Sequence, residues 1–351
     1  MPRRRRQKEE PKTQDTAEQA QTAPTTPSTV PRIETRLEAL LELPKVREDT
    51  IERLRSAGYT NLVAIAFATA QEIASSTGIP LDVANAIVRF AWERAGFTWT
   101  TAKYVKETKR FIKKITTGSK NLDRLLGGGV ETKTITEFYG EYGTGKTQLC
   151  HQLAVNVQLP EDRGGLGKGA VYLDTEGTFR WERIDQMARA LGLDPEKVME
   201  NIHYVRIASS DHQMAMADEL FEKIPEWDVG LVIVDSVTGH FRAEYPGREN
   251  LAVRQQKLGR HLRQLMKLAE AYDIAVVVTN QVMARPDVYG YYGEIVEAIG
   301  GHVLAHAPGV RVFLRKSRGN KRIAKVVDAP HLPEGETVFV ITEEGIRDPE
   351  K

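Results

Sequence analysis

The stretch from Glu137 to Gln152 reads EFYGEYGTGKTQLCHQ. Within it, Gly140, Glu141, Tyr142, Gly143, Thr144, Gly145, Lys146 and Thr147 follow the spacing G-x-x-x-x-G-K-[ST], with an apolar run before and a helical pattern after. In that context the glycines let successive backbone N–H groups converge on phosphate oxygens. Lys146 adds a point charge near the β and γ oxygens, and the Thr147 hydroxyl suits Mg²⁺. The pattern predicts a site for a nucleotide phosphate.

Holding a phosphate is not hydrolysing one, and three further strand ends supply what turnover needs. The run LVIVD ends in Asp235, at the carboxyl end of a buried strand, where ligands of open α/β sheets gather. A carboxylate there suits Mg²⁺ positioning; the alternative is a cap for the Ser-Val-Thr turn that follows. The run YLDTEGTF offers Asp174 and Glu176, either of which would orient and deprotonate an attacking water. Glu176 is the better candidate because Gly177 frees the backbone beside it. The run VVVTNQ supplies Asn280 and Gln281, neutral polar groups able to feel a γ-phosphate. A nucleotide, a Mg²⁺ carboxylate, a base and a sensor amide together predict an ATPase.

The elements that position these groups follow from periodicity. Apolar runs at 134–138, 170–174, 203–208, 231–235 and 274–279 read as buried strands separated by helical patterns. That alternation predicts a mostly parallel sheet covered on both faces. Arg248 to Ala271 reads as an amphipathic helix, with Leu251, Leu258, Leu262, Leu265 and Ala269 on one face. VRVFLRK, RIAKVVD and TVFVIT then read as strands extending the sheet antiparallel.

Upstream, the pattern is all-helical over 37–95, the ATPase core spans 113–351, and a linker occupies 96–112. LPKVREDTIERL and SSTGIPLDVANAI have the form of a helix-hairpin-helix, whose Gly-containing turn offers N–H groups to a DNA phosphate. Gly78 sits where that turn wants it, but Lys45 and Arg47 stand where glycines are usual. DNA contact and a purely structural role both remain open for this unit. Residues 1–36 are rich in Arg, Glu, Gln, Thr and Pro and read as a disordered tail, with Arg3 to Arg6 as a basic run.

The composition of the 351 residues narrows the classes. With 49 basic and 48 acidic side chains the net charge is +1, so nucleic-acid binding must come from local patches. One cysteine, Cys150, excludes an intramolecular disulfide framework and a thiolate zinc site, and it reads as a buried helix residue. No run approaches a membrane span, and PRRRRQKEE has no apolar h-region. The chain is expected to be intracellular, cytoplasmic and nucleoid-associated, with no membrane partner.

Two segments leave the sheet directly after the candidate nucleotide-sensing strand ends. HFRAEYPGRENLAVRQQ mixes Arg242 and Arg248 with Tyr245, which suits phosphate contact and base stacking; a solvated charged loop is the alternative. QVMARPDVYGYYGEIVEAIGGHVLAH has no clear period and reads as a long mobile loop. This wiring would let γ-phosphate occupancy alter DNA contacts.

GEYGTGKTQLCHQLAVNVQLP, YLDTEGTFRWER, DSVTGHFRAEYPGRENLAVRQQKL, TNQVMARPD, GGHVLAH and DAPHLPEGE resemble the RecA-type strand-exchange recombinases, most closely their archaeal members. The resemblance covers nearly everything from Arg36 on. It implies a RecA-like P-loop core behind a small all-α helix-hairpin-helix domain. It also implies an ATP- and Mg²⁺-dependent filament on single-stranded DNA that pairs with duplex and exchanges strands in repair. By resemblance, Gly140 to Gln148 hold the nucleotide, Thr147 and Asp235 the metal, Glu176 is the base and Gln281 the γ-phosphate sensor. Arg183 falls where the family stacks an arginine on adenine. Asp328, Ala329 and Pro330 would cap a neighbouring protomer's nucleotide, with His306 near its γ-phosphate. The two loops match the family's DNA loops, which adds Arg254 to the first and gives Met283, Arg285, Gly300 and Gly301 in the second.

The linker GFTWTTAKYVKE stands where family members present Phe-x-x-Ala, a strand added to the next protomer's sheet. The matching positions are Trp99 and Ala102, with the F-x-x-T beginning at Phe97 as the other register. The resemblance implies a homo-oligomer, filament or ring, and leaves mediator proteins and an interface monovalent cation open. The rival readings are a regulatory paralogue that loads DNA, a hexameric RecA-fold motor or clock-type kinase, and a non-catalytic DNA scaffold. The helical unit, the linker and the two loops disfavour the paralogue, the single P-loop domain and the matched loops disfavour the motor and the kinase, and a scaffold would not need Glu176.

Overall fold

The computed structural model describes residues 35–108, 112–290, 293–298, 304 and 307–350, and over 283–290 and 293–298 the backbone alone. The first helices are α1 (Glu48–Ser56), α2 (Leu62–Ala66), α3 (Ala70–Thr77) and α4 (Leu81–Arg94). α3 starts at a reciprocal cap: Thr69 Oγ1 accepts the Glu72 N–H at 3.1 Å, and Glu72 Oε2 accepts the Thr69 N–H at 2.8 Å. It stops at Gly78, whose φ of +69° is the left-handed geometry a glycine tolerates. Leu40, Leu54, Ile65, Ile73 and Ile87 close a core of their own. The turn keeps its donors to itself. The Gly78 N–H bonds the Ala74 carbonyl and the Ile79 N–H bonds Thr77 Oγ1, which leaves neither for a DNA phosphate.

Helix α5 (Ala102–Thr108) follows, so Ala102 opens a helix rather than lying in an extended segment. Then come β1 (Lys114–Ile115), α6 (Lys120–Leu125), β2 (Val130–Glu131), β3 (Thr134–Gly140), α7 (Lys146–Asn156), β4 (Gly169–Asp174), α8 (Trp181–Ala190) and α9 (Pro195–Glu200). After β5 (Ile202–Arg206), α10 (Ser210–Trp227) and β6 (Val229–Asp235) lie α11 (Gly239–Glu244), α12 (Leu251–Tyr272) and β7 (Ala275–Asn280). The last strands are β8 (Val282–Gly290), β9 (Gly293–Ala298), β10 (Val310–Lys316), β11 (Lys321–Asp328), β12 (Gly335–Thr342) and β13 (Gly345–Arg347).

The main sheet has the order β13-β12-β11-β10-β3-β7-β6-β4-β5. Its centre is parallel, and every residue of β4, β6 and β7 is buried, as strands covered on both faces require. Leu149, Leu153, Ile184 and Met187 of α7 and α8 pack on one face, and Leu220, Leu258, Leu262 and Leu265 of α10 and α12 on the other. Each such fully buried side chain contributes about 1.5–3 kcal/mol of transfer free energy.

Three expectations are corrected. β10 joins the sheet parallel to β3, with Arg311 opposite Glu137, so antiparallel pairing begins only at β11. A strand that ends a crossover from β7 must return in the β7 direction. The segment after Gln281, read as a loop, forms the antiparallel β8–β9 hairpin. Its Gly-Pro-Tyr composition hides the alternation that signals a strand. The segment after Asp235, also read as a loop, begins with α11, and the long helix behind it starts at Leu251 rather than Arg248.

Candidate nucleotide site

Four strand ends meet around a cavity of about 330 Å³ lined by Tyr142, Gly143, Gly145, Lys146, Thr147, Gln148, Glu176, Thr178, Asp235, Gln281, Arg322 and Ile341. The loop from β3 to α7 turns at Gly143 and Gly145, whose φ values are +74° and +103°. A Cβ on Gly145 would come within 2.8 Å of Ile341 Cδ1. Gly140 answers to the sheet instead: its Cβ would lie 2.2 Å from the Leu314 carbonyl of β10. Lys146 Nζ donates to the carbonyls of Gly140 at 2.9 Å and Glu141 at 2.8 Å. Burial lowers its pKa.

Asp235 ends β6 almost fully buried, accepting Tyr172 Oη–H at 2.9 Å and the Thr279 hydroxyl. Burial, with Asp235 alongside, holds the Tyr172 phenol far above its usual range, so it stays a donor.

Asp174 and Glu176 have different tasks. The buried Asp174 carboxylate accepts the N–H groups of Glu176, Gly177, Thr178 and Phe179 at 3.1, 2.7, 3.2 and 3.2 Å, and Tyr204 Oη–H at 3.2 Å. It shapes the turn. Glu176 is exposed to the cavity, its Oε1 accepting from Gln281 Nε2 and Ser236 Oγ, both at 2.9 Å. His151 ties α7 to the same turn. Its Nδ1–H donates to the Thr147 carbonyl at 2.6 Å and its Nε2 accepts the Arg180 N–H at 3.0 Å. Burial lowers this imidazole to about 4, which suits the neutral ring that pattern demands.

The residues fit a nucleotide with Mg²⁺. Thr178 Oγ1 is buried without a partner in the wall of the cavity that Lys146 also lines. Among the described residues no group of three His, Cys, Asp or Glu could hold a metal alone. Mg²⁺ suits such a place, since it is usually held by one or two carboxylates together with phosphate oxygens.

The other expected residues fall in separate places. Arg183 is not in the cavity wall; its Nε donates to Gln148 Oε1 at 2.9 Å, and its NH1 and NH2 reach the carbonyls of Glu343 and Thr342. Asp328 and Pro330 are exposed at and beyond the end of β11, apart from this chain's own cavity. Arg242 and Arg248 are exposed and have no ion pair among the described residues. Arg254 donates to the Tyr245 carbonyl at 3.1 Å, and Lys257 sits 5.0 Å over the Tyr245 ring. Trp99 is 103% exposed, whereas Phe97 packs edge-on against Phe67 at 5.0 Å. Gly300, Gly301 and His306 lie outside the described residues, as do the side chains of Met283 and Arg285.

Sequence reasoning missed Thr178, Arg322 and Ile341. Arg322 Nε donates to the Gly143 carbonyl at 3.2 Å from a strand that arrives long after the motif, and no spacing pointed to it. A larger cleft of about 820 Å³ lies between the first helices and α12, but Glu72 and Asp218 mix there with Arg260, Arg263 and Lys267, and nothing converges. No helix among the described residues is long and apolar enough to cross a membrane.

A parallel sheet with a glycine-rich phosphate loop and carboxylates at adjoining strand ends defines a RecA-like P-loop α/β protein. The chain belongs to the Rad51 family, whose model, described as Rad51, matches residues 108–349. It is similar to the DNA repair and recombination protein RadA of Aeropyrum pernix, 64% identical over 311 residues, which cover 89% of this chain and 97% of that protein. It is also similar to the DNA repair and recombination protein RadA of Ignicoccus hospitalis, 62% identical over 322 residues, 90% of this chain and 98% of that protein.

Proposed function

We propose that the chain is a DNA repair recombinase that hydrolyses ATP while assembled on single-stranded DNA, where it pairs the strand with homologous duplex. One observation carries the reading: Glu176 is held by Gln281 and Ser236, the residues from which both candidate DNA segments leave the sheet. Gly140 to Gln148 cradle the phosphates, and Lys146 exchanges its own loop's carbonyls for phosphate oxygens. Thr147 and Asp235 would hold Mg²⁺, which would supply neutralisation of phosphate charge. Glu176 takes the proton of a water whose oxygen bonds to the γ-phosphorus as the bridge to the β-phosphate breaks. Gln281 and Ser236 keep that carboxylate facing the cavity, and Arg183 steadies the wall through Gln148.

Asp328, Pro330 and His306 are assigned to a neighbouring copy's nucleotide, since the two described ones stand away from this chain's own cavity. Arg242, Tyr245, Arg248 and Arg254, with Met283, Arg285, Gly300 and Gly301, are assigned to DNA. The exposed guanidinium groups of Arg242 and Arg248, without an ion pair among the described residues, support this reading.

The test is Glu176→Gln. ATP-dependent DNA assemblies should persist while turnover falls by about 10²–10⁴-fold. DNA-stimulated turnover at the wild-type rate would remove Glu176 as the base. Strand exchange by the unaltered chain should require ATP; exchange without any nucleotide, or none with it, would sink the function.

A further inference from the structure

A line of buried and half-buried polar side chains crosses the sheet at the phosphate-loop strand. Arg311 Nε of β10 donates to Glu137 Oε2 of β3 at 2.6 Å. Asn280 Nδ2 of β7 donates to Glu137 Oε1 at 2.8 Å, and Thr238 Oγ1, just after β6, donates to Asn280 Oδ1 at 2.8 Å. Three neighbouring strands, β10-β3-β7, give one side chain each, and the fourth side chain comes from the turn that follows the next strand, β6. Glu137 and Asn280 are wholly buried and Thr238 is 4% exposed. Burial raises the Glu137 carboxyl and the Arg311 guanidinium opposes that rise.

Stability alone does not explain the arrangement, because a well-packed apolar set in place of a buried ion pair is often as stable or more so. What the four positions share is location. Glu137 stands three residues before Gly140. Thr238 is the residue before α11, Asn280 is followed by Gln281 and the β8–β9 hairpin, and Arg311 is where the chain has just rejoined the sheet. The carboxylate therefore grips both roots of the second candidate DNA segment and, through Asn280, the root of the first.

We propose that Glu137 is a positioning residue that fixes the roots of both DNA-facing segments to the phosphate-loop strand, so that DNA on those segments alters turnover. This rests on the function proposed above. The ladder acts through Gln281, next to Asn280, and Ser236, two residues before Thr238, which hold Glu176.

The experiment measures ATP turnover by the full chain with and without single-stranded DNA, with KM for ATP and the urea midpoint. Glu137→Gln removes the charge opposite Arg311, and Thr238→Val removes only the last link and leaves the ion pair whole. DNA stimulation should fall about tenfold in the first and about fivefold in the second. DNA-free turnover and KM should stay within about twofold of wild type in both. Thr238→Ser should restore stimulation. The double variant should lose no more than Glu137→Gln alone, as members of one network do.

Wild-type stimulation in folded Thr238→Val overturns the proposal, as does a parallel fall of both rates with the urea midpoint. If Glu137→Gln does not fold, the Thr238 pair decides. A wild-type chain that DNA does not stimulate sinks the functional reading and this inference together; stimulated wild type with unaltered variants sinks this inference alone.

Discussion

At the scale of single residues, two carboxylates two positions apart do opposite work because their surroundings differ. Asp174 is closed in by four backbone donors, and Glu176 faces the cavity on the turn those donors make. Asp174→Ala should therefore lose turnover through shape, and stability should fall by about 2–4 kcal/mol as buried N–H groups lose their acceptor. A urea midpoint equal to wild type would refute that; Glu176→Gln, by contrast, should keep it. The phosphate loop was legible because its chemistry is contiguous. Sequence preferred Glu176 but could not exclude Asp174, since both end the same strand and only the bonding separates them. Gly140 shows a reason the motif does not carry: β10 forbids a Cβ there, whatever the phosphates need. Thr178 and Arg322 stayed hidden because cavity walls form between segments distant in the chain.

At the scale of elements, strands with continuous apolar runs were read correctly in place, and so was the parallel centre of the sheet, but the pairing of β10 was not. The β10 run resembles those of β11 and β12, and its parallel partner β3 lies far upstream, so only the crossover geometry assigns its direction. The linker shows a similar gap between type and placement. Trp99 is fully exposed in a short irregular stretch before α5, while Phe97 is tied to the helical unit by Phe67 and by its N–H to the Trp92 carbonyl at 2.8 Å. We propose that this exposed indole docks on another copy rather than packing within its own chain. Trp99→Ala should abolish ATP- and DNA-dependent assembly, with the urea midpoint unchanged within about 0.5 kcal/mol because nothing of its own chain is lost. Light scattering that shows normal assembly would refute Trp99 as the anchor and return the role to Phe97.

At the scale of the whole molecule, stability carries a proton dependence written by buried imidazoles. His261 sits on α12 against Phe241, accepting from Gln213 Nε2 at 3.0 Å, and burial lowers it to about 4. The unfolded chain binds a proton there below about 6.5 and the folded chain does not until about 4, so acidification favours unfolding across that window. Wild type should lose about 2 kcal/mol more than His261→Gln between pH 7.5 and pH 5. Parallel urea midpoints across that range would contradict it. Two cores on the sheet faces and a third among the first helices were foreseeable from apolar spacing; which buried histidines stay neutral was not, since that depends on what encloses them. The sheet itself ends unequally. At one side β13 is three residues long, and at the other β5 is five long, with Tyr204 exposed and no strand beyond it among the described residues. We propose that the linker of one copy adds to β5 of the next, which gives the assembly a direction. Copies joined that way would form a row with unlike termini, one showing a bare β5 and the other an undocked linker, so a copy without its linker would stop growth at one terminus and leave the other untouched.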